Sequence, residues 1–210
     1  MRSDMRRFLY ILLLSSIFNT SVKAENHQGR PHPHMTFGLE YGYVAAVHSA
    51  YHYYFFAPEG YRVDDRGQSF RYTGNSEMYL HLGYNLNSNW NISLYAGYAG
   101  LERYHDAIPL SIRATRYFGK DPERDRWFSF ADIGSGICLK KPVQEILTGK
   151  IGGGYRLSLS RFTKIDLIFS ARMTYTHPQV TYDGILIPMD RTNRNNAYIS
   201  SLSLGICITI

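Results

Sequence analysis

From Tyr198 to its last residue the chain alternates. Even positions carry Leu202, Leu204, Ile206, Ile208 and Ile210, and odd positions carry Ser201, Ser203, Gly205, Cys207 and Thr209. Successive side chains of an extended strand point to opposite faces, so this is a strand with one apolar face and one small, polar face. The same alternation recurs upstream, and long helical periods are missing. A chain written this way has to cover one face of every strand. It does so either as a soluble sandwich of sheets or as a barrel in an outer membrane.

Alternating segments fall at residues 35–47, 76–86, 90–101, 108–119, 127–138, 147–159, 164–176 and 197–210, which makes eight strands. The first carries Met35, Phe37, Leu39, Tyr41, Tyr43, Ala45 and Val47 on one face. The others repeat that pattern, with Ile165, Leu167, Phe169, Ala171, Met173 and Tyr175 as a clear later case. Compact turns at 87–89, 120–126 and 160–163 follow the second, fourth and sixth strands. The other connections, including long ones at 48–75 and 177–196, therefore lie at the opposite end. Pro58-Glu59-Gly60 and Asp64-Asp65-Arg66-Gly67 read as turns within the first long connection, whose aromatic start, Tyr51 to Phe56, is able to extend the first strand. Short turns at one end and long loops at the other are the pattern of transmembrane barrels. A strand of about 11–12 residues, rising ~3.3 Å each and tilted ~40°, spans roughly 28–30 Å, enough for the apolar band. The expected fold is all-β: an eight-stranded antiparallel up-and-down transmembrane β-barrel over residues 35–210.

The segment before it reads as something else. Arg2, Arg6 and Arg7 precede an apolar run from Phe8 to Phe18 too short to span a bilayer, and Val22-Lys23-Ala24 suits cleavage. Residues 1–24 are thus expected to be a signal peptide, and 25–34 a flexible periplasmic leader broken by Pro31 and Pro33. Removing Arg2, Arg6, Arg7, Lys23 and Asp4 halves the formal charge of +6. With no basic stripe, a nucleic-acid partner is not suggested. His27, His32 and His34 sit close in the leader but show no ligand geometry, so no metal and no cofactor is expected.

The faces opposite the apolar ones carry small residues and both signs of charge: Glu40, His81, Arg113, Asp132, Lys150, Arg156, Asp166 and Arg172. In a barrel of eight strands side chains just fill the interior. These groups then form a salt-bridged plug, with Arg113 and Asp132 on adjacent strands as one pair, or alternatively line a polar pore. Arg116 is the main charge on an apolar face, near enough to a strand end to snorkel. Trp90 and Trp127 start strands at the short-turn end, where an aromatic belt would sit. Cys138 and Cys207 fall near opposite rims, too far apart for a disulfide.

With these features the mature chain resembles the small outer-membrane barrels of the OmpA/OmpX/OmpW type. The segments Ile108-Pro-Leu-Ser-Ile-Arg-Ala-Thr-Arg-Tyr-Phe, Phe130-Ala-Asp-Ile-Gly-Ser-Gly and Gly152-Gly-Gly-Tyr-Arg-Leu are similar to porin-like barrel domains of Bacteroidetes-type bacteria. Many such barrels end in Phe where this chain has Ile210. The resemblance implies a non-enzymatic, monomeric outer-membrane protein with both termini periplasmic, meeting lipid and lipopolysaccharide through its long loops. The alternatives are a small-solute, porin-like channel and an acyl enzyme acting on lipid A. The last would need a Ser/His pair at the outer rim, for which His48-Ser49 and His105-Asp106 are the candidates.

Overall fold

The computed structural model describes residues 34–210, apart from 71, 103–104, 120, 140–144 and 161, and without the side chains of 101, 102, 105 and 138. The signal-peptide reading of residues 1–24, and the leader with His27 and His32, lie outside the described residues.

The elements are β1 (Met35–Phe56), β2 (Arg62–Ser69), β3 (Thr73–Asn85), β4 (Trp90–Glu102), β5 (His105–Tyr117), β6 (Arg126–Cys138), β7 (Glu145–Ser158), β8 (Lys164–Thr176), β9 (Thr181–Tyr182), β10 (Ile185–Leu186), a 3₁₀ turn (Met189–Arg191) and β11 (Thr192–Thr209). Eight staves pair in the order β1, β3, β4, β5, β6, β7, β8, β11, and β11 returns to β1. All these pairings are antiparallel, and the closing seam runs from Gly38↔Thr209 to Phe55↔Thr192. Phe37 and Ile210 exchange both backbone hydrogen bonds, at 2.9 and 2.7 Å, so the seam is held to the last residue. Closure removes the unpaired sheet edges that hydrocarbon does not tolerate.

The burial pattern is inverted relative to a water-soluble sheet. Ile112, Ile133 and Phe169 are 56%, 66% and 55% exposed, and the apolar faces of the other staves are likewise turned outward. The alternate positions, which carry the charges, are buried. A continuous exposed apolar belt around a polar interior is the arrangement of a lipid-facing barrel.

Rings fill much of the interior. Tyr79, Tyr95, Tyr117, Phe128 and Phe130 are all buried. Of three consecutive glycines in β7, Gly152 and Gly154 make room for two of them. A Cβ on Gly152 would meet Phe130 Cε1 at 2.8 Å, and one on Gly154 would meet Phe128 Cζ at 2.7 Å. The inward rings of β6 thus lie over bare backbone of the neighbouring stave.

The long-loop end differs from the sequence expectation. Asp64-Asp65-Arg66-Gly67 is not a turn: it lies within β2, paired with Tyr54, Tyr53, His52 and Tyr51 of β1. Pairing to a long aromatic strand outweighs the local turn chemistry. The register shift between Ala46 and His48 leaves Val47 as an extra residue, a bulge that re-aims β1 as it continues to Phe56. The loop expected at 102–107 is shorter, because Glu102 pairs directly with His105. The final strand begins at Thr192 rather than 197, and 177–196 also holds the small β9–β10 hairpin.

The two long connections meet in a second, separate core. Phe55, Val180 and Ile187 are buried together, with Tyr53, Val63 and Tyr182 packed against them. Tyr61 and Tyr182 join their hydroxyls at 2.9 Å across the two loops. Phe55→Ala removes the central ring of this cluster, a change that costs about 3–5 kcal/mol in a well-packed core. The expected result is a loss of amide exchange protection of about a hundredfold or more in both 62–69 and 180–187. The staves should keep their protection, because this cap has its own core.

Candidate functional site

Strand parity places the functional groups. On β3, positions 77, 79 and 81 point inward; on β7, 150 and 156; on β8, 166 and 172. Glu40, His81, Arg113, Asp132, Lys150, Arg156, Asp166 and Arg172 are all buried in the lumen, none more than 8% exposed.

The middle of the lumen holds one connected network. Arg113 donates from Nη1 to Glu40 Oε2 at 2.6 Å and from Nη2 to Oε1 at 3.3 Å. Its Nε reaches Asp132 Oδ2, the in-register residue of β6, at 3.1 Å. The same guanidinium lies 3.8 Å from the Tyr95 ring centre and 4.2 Å from that of Phe130. Two carboxylates and two ring faces thus surround one cation, each contact strengthened by removal from water. Lys150 donates to Glu77 at 2.9 Å and stands 3.8 Å from Glu40, which ties the two acids together. Arg172 donates to Glu77 Oε2 at 3.1 Å and to the Gly100 carbonyl at 3.1 Å. Tyr79 adds a hydroxyl to Glu77 at 3.3 Å.

Toward the short turns lies a second plug. Arg156 and Asp166 form a two-pronged pair at 2.6 and 2.7 Å. Tyr117 is held between Arg156 and Arg126, whose guanidinium carbons lie 4.3 and 4.1 Å from its ring centre. Arg126 also caps the Ser88 carbonyl of the neighbouring turn at 2.6 Å. His81 stacks on Tyr95 at 4.9 Å, and its Nε2 lies 3.4 Å from both Cys207 Sγ and Thr209 Oγ1. Cys207 is a free, buried thiol. The polar cavity between these two layers, bordered by His81, Arg113 and Arg156, measures about 20 Å³. That is room for about one water molecule.

Glu77 is the main residue that sequence reasoning passed over. It shares the parity of His81 on the same strand, so its inward direction was readable there. Arg126, one residue before Trp127, was hidden by its place at the edge of a charged turn.

Outside the membrane span, a smaller cluster crosses β11, β1 and β2. Arg66 grips Asp64 with two hydrogen bonds at 3.0 and 2.8 Å, which holds the Asp64 carboxyl below its usual range. His52 joins it, with Nε2 at 3.0 Å from Asp64 and Nδ1 at 3.2 Å from Arg194 Nη1. An arginine can only donate, so His52 Nδ1 accepts and its proton sits on Nε2, facing Asp64. The Tyr61 phenol is pushed up to about 12, first by its hydrogen bond with Tyr182.

Of the acyl-transfer candidates, His48-Ser49 does not assemble a nucleophile and base. His48 packs its ring on Phe70 at 4.7 Å, while Ser49 bonds Ser69 at 3.0 Å. The His105 side chain lies outside the described residues. Among the described residues no group of three His, Cys, Asp or Glu side chains is placed to hold a metal ion. At the short-turn end Trp127 is 65% exposed and meets Tyr155 at 5.0 Å, while Trp90 is half-buried beside Arg116.

No family model matches the chain, and no curated protein matches it. Similar solved structures are small outer-membrane barrels. OprG from Pseudomonas aeruginosa is 9% identical, with a TM-score of 0.48, over 85% of this chain and 97% of that one. Neisserial surface protein A is 10% identical, with a TM-score of 0.44, over 85% and 99%. The N-terminal barrel domain of Pseudomonas aeruginosa OprF is 12% identical, with a TM-score of 0.42, over 82% and 97%. At these values the barrel assignment rests on the chain's own closed ring of hydrogen bonds.

Proposed function

We propose that this chain is a sealed, non-enzymatic barrel of a Gram-negative outer membrane. Its work is done at the long-loop end, which faces outward, while both termini face the periplasm. The observation that carries the reading is the lumen: its charged groups are engaged with one another, and the polar cavity between the two layers, bordered by His81, Arg113 and Arg156, measures about 20 Å³. Ions crossing it would have to displace Arg113, Glu40 and Lys150 from partners at hydrogen-bond distance, deep in a medium where unpaired charge is costly.

What remains for function is the outer cap. Its own core of Phe55, Val180 and Ile187 gives the loops a defined shape. Ile185, Leu186 and Met189 are displayed on it, 53%, 54% and 63% exposed. A firm platform with apolar side chains suits contact with another surface, with lipopolysaccharide as the nearest partner and the barrel itself acting as a monomer. The narrower likeness to OmpA/OmpX/OmpW-type proteins fits the same role.

Planar-bilayer recording of the refolded protein tests the seal. No conductance is expected at moderate voltage, and the Phe55→Ala variant should be equally silent. Steady, ion-selective steps from the wild-type protein would overturn the reading and make the charged interior a pore.

A further inference from the structure

The outer wall carries a feature that the sealed lumen does not explain. On the lipid-facing side, a groove of about 830 Å³ runs across β6, β7, β8, β11 and β1. Its sides include Trp127, Tyr155, Leu167, Phe169 and Leu204, and Gly153 leaves its floor bare. Gly153 faces outward, unlike Gly152 and Gly154, so it is not needed to seat an interior ring. Register sets Gly153 beside Ser129, and Ser129 beside Arg116 of β5. The charge and the floor of the groove are therefore about two strand spacings apart, ~10 Å between backbones. A long guanidinium side chain spans much of that.

Arg116 is itself anomalous. At the outward positions of the staves in the half nearest the short turns, it is the one charged side chain among the described residues. Among the described residues no ion pair to a carboxylate involves it; its contacts there are with rings, Trp90 at 5.8 Å and Phe118 at 5.5 Å. Phe118 in turn donates its backbone N–H to the Trp127 carbonyl at 2.9 Å, which links this cation to the mouth of the groove. Arg116 lies one residue from the end of β5, at the depth where headgroups begin.

We propose that Arg116 and this groove form a binding site for one anionic glycerophospholipid of the leaflet nearest the short turns. The phosphate sits on Arg116, framed by Trp90 and Phe118, and one acyl chain lies over Gly153 between Tyr155 and Phe169. A planar guanidinium is suited to a phosphate, which it grips with two parallel hydrogen bonds. The groove is an open depression along the wall, and its volume of about 830 Å³ leaves room for one acyl chain to lie in it with one side still facing neighbouring lipid. Its apolar sides in a lipid-facing wall select a hydrocarbon chain over any water-soluble partner.

The inference rests on the wall facing lipid, and native mass spectrometry of the full chain in detergent separates the two. Phosphatidylglycerol and phosphatidylcholine with identical chains are supplied in equal amounts. Wild-type protein is expected to retain phosphatidylglycerol preferentially. Arg116→Gln should lower that retention about fivefold, the worth of one cation at a membrane surface, and abolish the preference. Leu167→Trp, which fills the groove from an outward position and leaves the charge in place, should lower retention of both lipids. Equal retention of the two lipids by the wild type, or a preference unchanged in Arg116→Gln, would overturn the site. Retention unaffected by Leu167→Trp would reduce it to a headgroup contact without the groove and overturn it as stated. A wild-type protein that stays folded and monodisperse without detergent would instead overturn the lipid-facing wall, and the site with it.

Discussion

Arg113→Met is expected to lower the unfolding free energy of the barrel by about 3–5 kcal/mol, the range for breaking a buried ion pair from one side. The cause is what the change leaves behind. Glu40 is 2% exposed and would lose its two-pronged partner, keeping only Lys150 at 3.8 Å. Asp132, 8% exposed, would lose the guanidinium that reaches it at 3.1 Å. The rings of Tyr95 and Phe130 would lose the cation between them. A triple variant, Arg113→Met with Glu40→Gln and Asp132→Asn, should recover more than half of that loss. The carboxylates it neutralises no longer need a partner, so the three effects are strongly non-additive. Denaturant unfolding in phospholipid vesicles, followed by tryptophan fluorescence, measures both. Should the single variant unfold at the wild-type midpoint, its stranded carboxylates must be reaching water, and the lumen is not sealed.

The parts of this site that could be read in the sequence are those set by a period of two. Once Leu202, Leu204 and Ile206 define an outward face, the direction of every other residue on the strand follows. Arg113 and Asp132 were further legible as neighbours because they lie on consecutive strands, where a compact turn limits the register. The Arg113–Glu40 and Lys150–Glu77 pairs cross between staves far apart in order. Parity says that all four point inward but not which acid meets which base, since that depends on the stagger of the closed barrel. The outer cap was less legible still. Asp64-Asp65-Arg66-Gly67 has the composition of a turn, yet Asp64 and Arg66 are two apart on a strand, share a face and neutralise each other there. That pairing becomes available only once β1 has run past the bulge at Val47 to provide the partner strand. Likewise Phe55, Val180 and Ile187 come from loops more than a hundred positions apart, and no local pattern announces that they share a core.

The sharpest discrimination between this barrel and a water-soluble one comes from two outward residues of nearly equal exposure. Ile112, near the middle of β5, is 56% exposed, and Trp127, at the short-turn end of β6, is 65% exposed. Solvent would treat them alike, since surface substitutions away from special features shift stability by only about ±0.5 kcal/mol. Lipid does not, because the penalty for a cation depends on depth. Ile112→Arg is expected to destabilise the barrel by about 2–4 kcal/mol, the value near the bilayer midplane, and the charge of Trp127→Arg to add only about 0–1 kcal/mol near the interface. The neighbours sharpen the contrast: Ile112 pairs in register with Leu94 and Ile133, so an arginine there finds apolar side chains on both flanking staves. Reversible unfolding in vesicles reads the difference between the variants, with Ile112→Ala as the control for lost side-chain area. A gap of about 2 kcal/mol or more between the two arginines would establish the depth of the wall in hydrocarbon. Equal, small effects would mean that the exposed apolar belt meets something other than a bilayer.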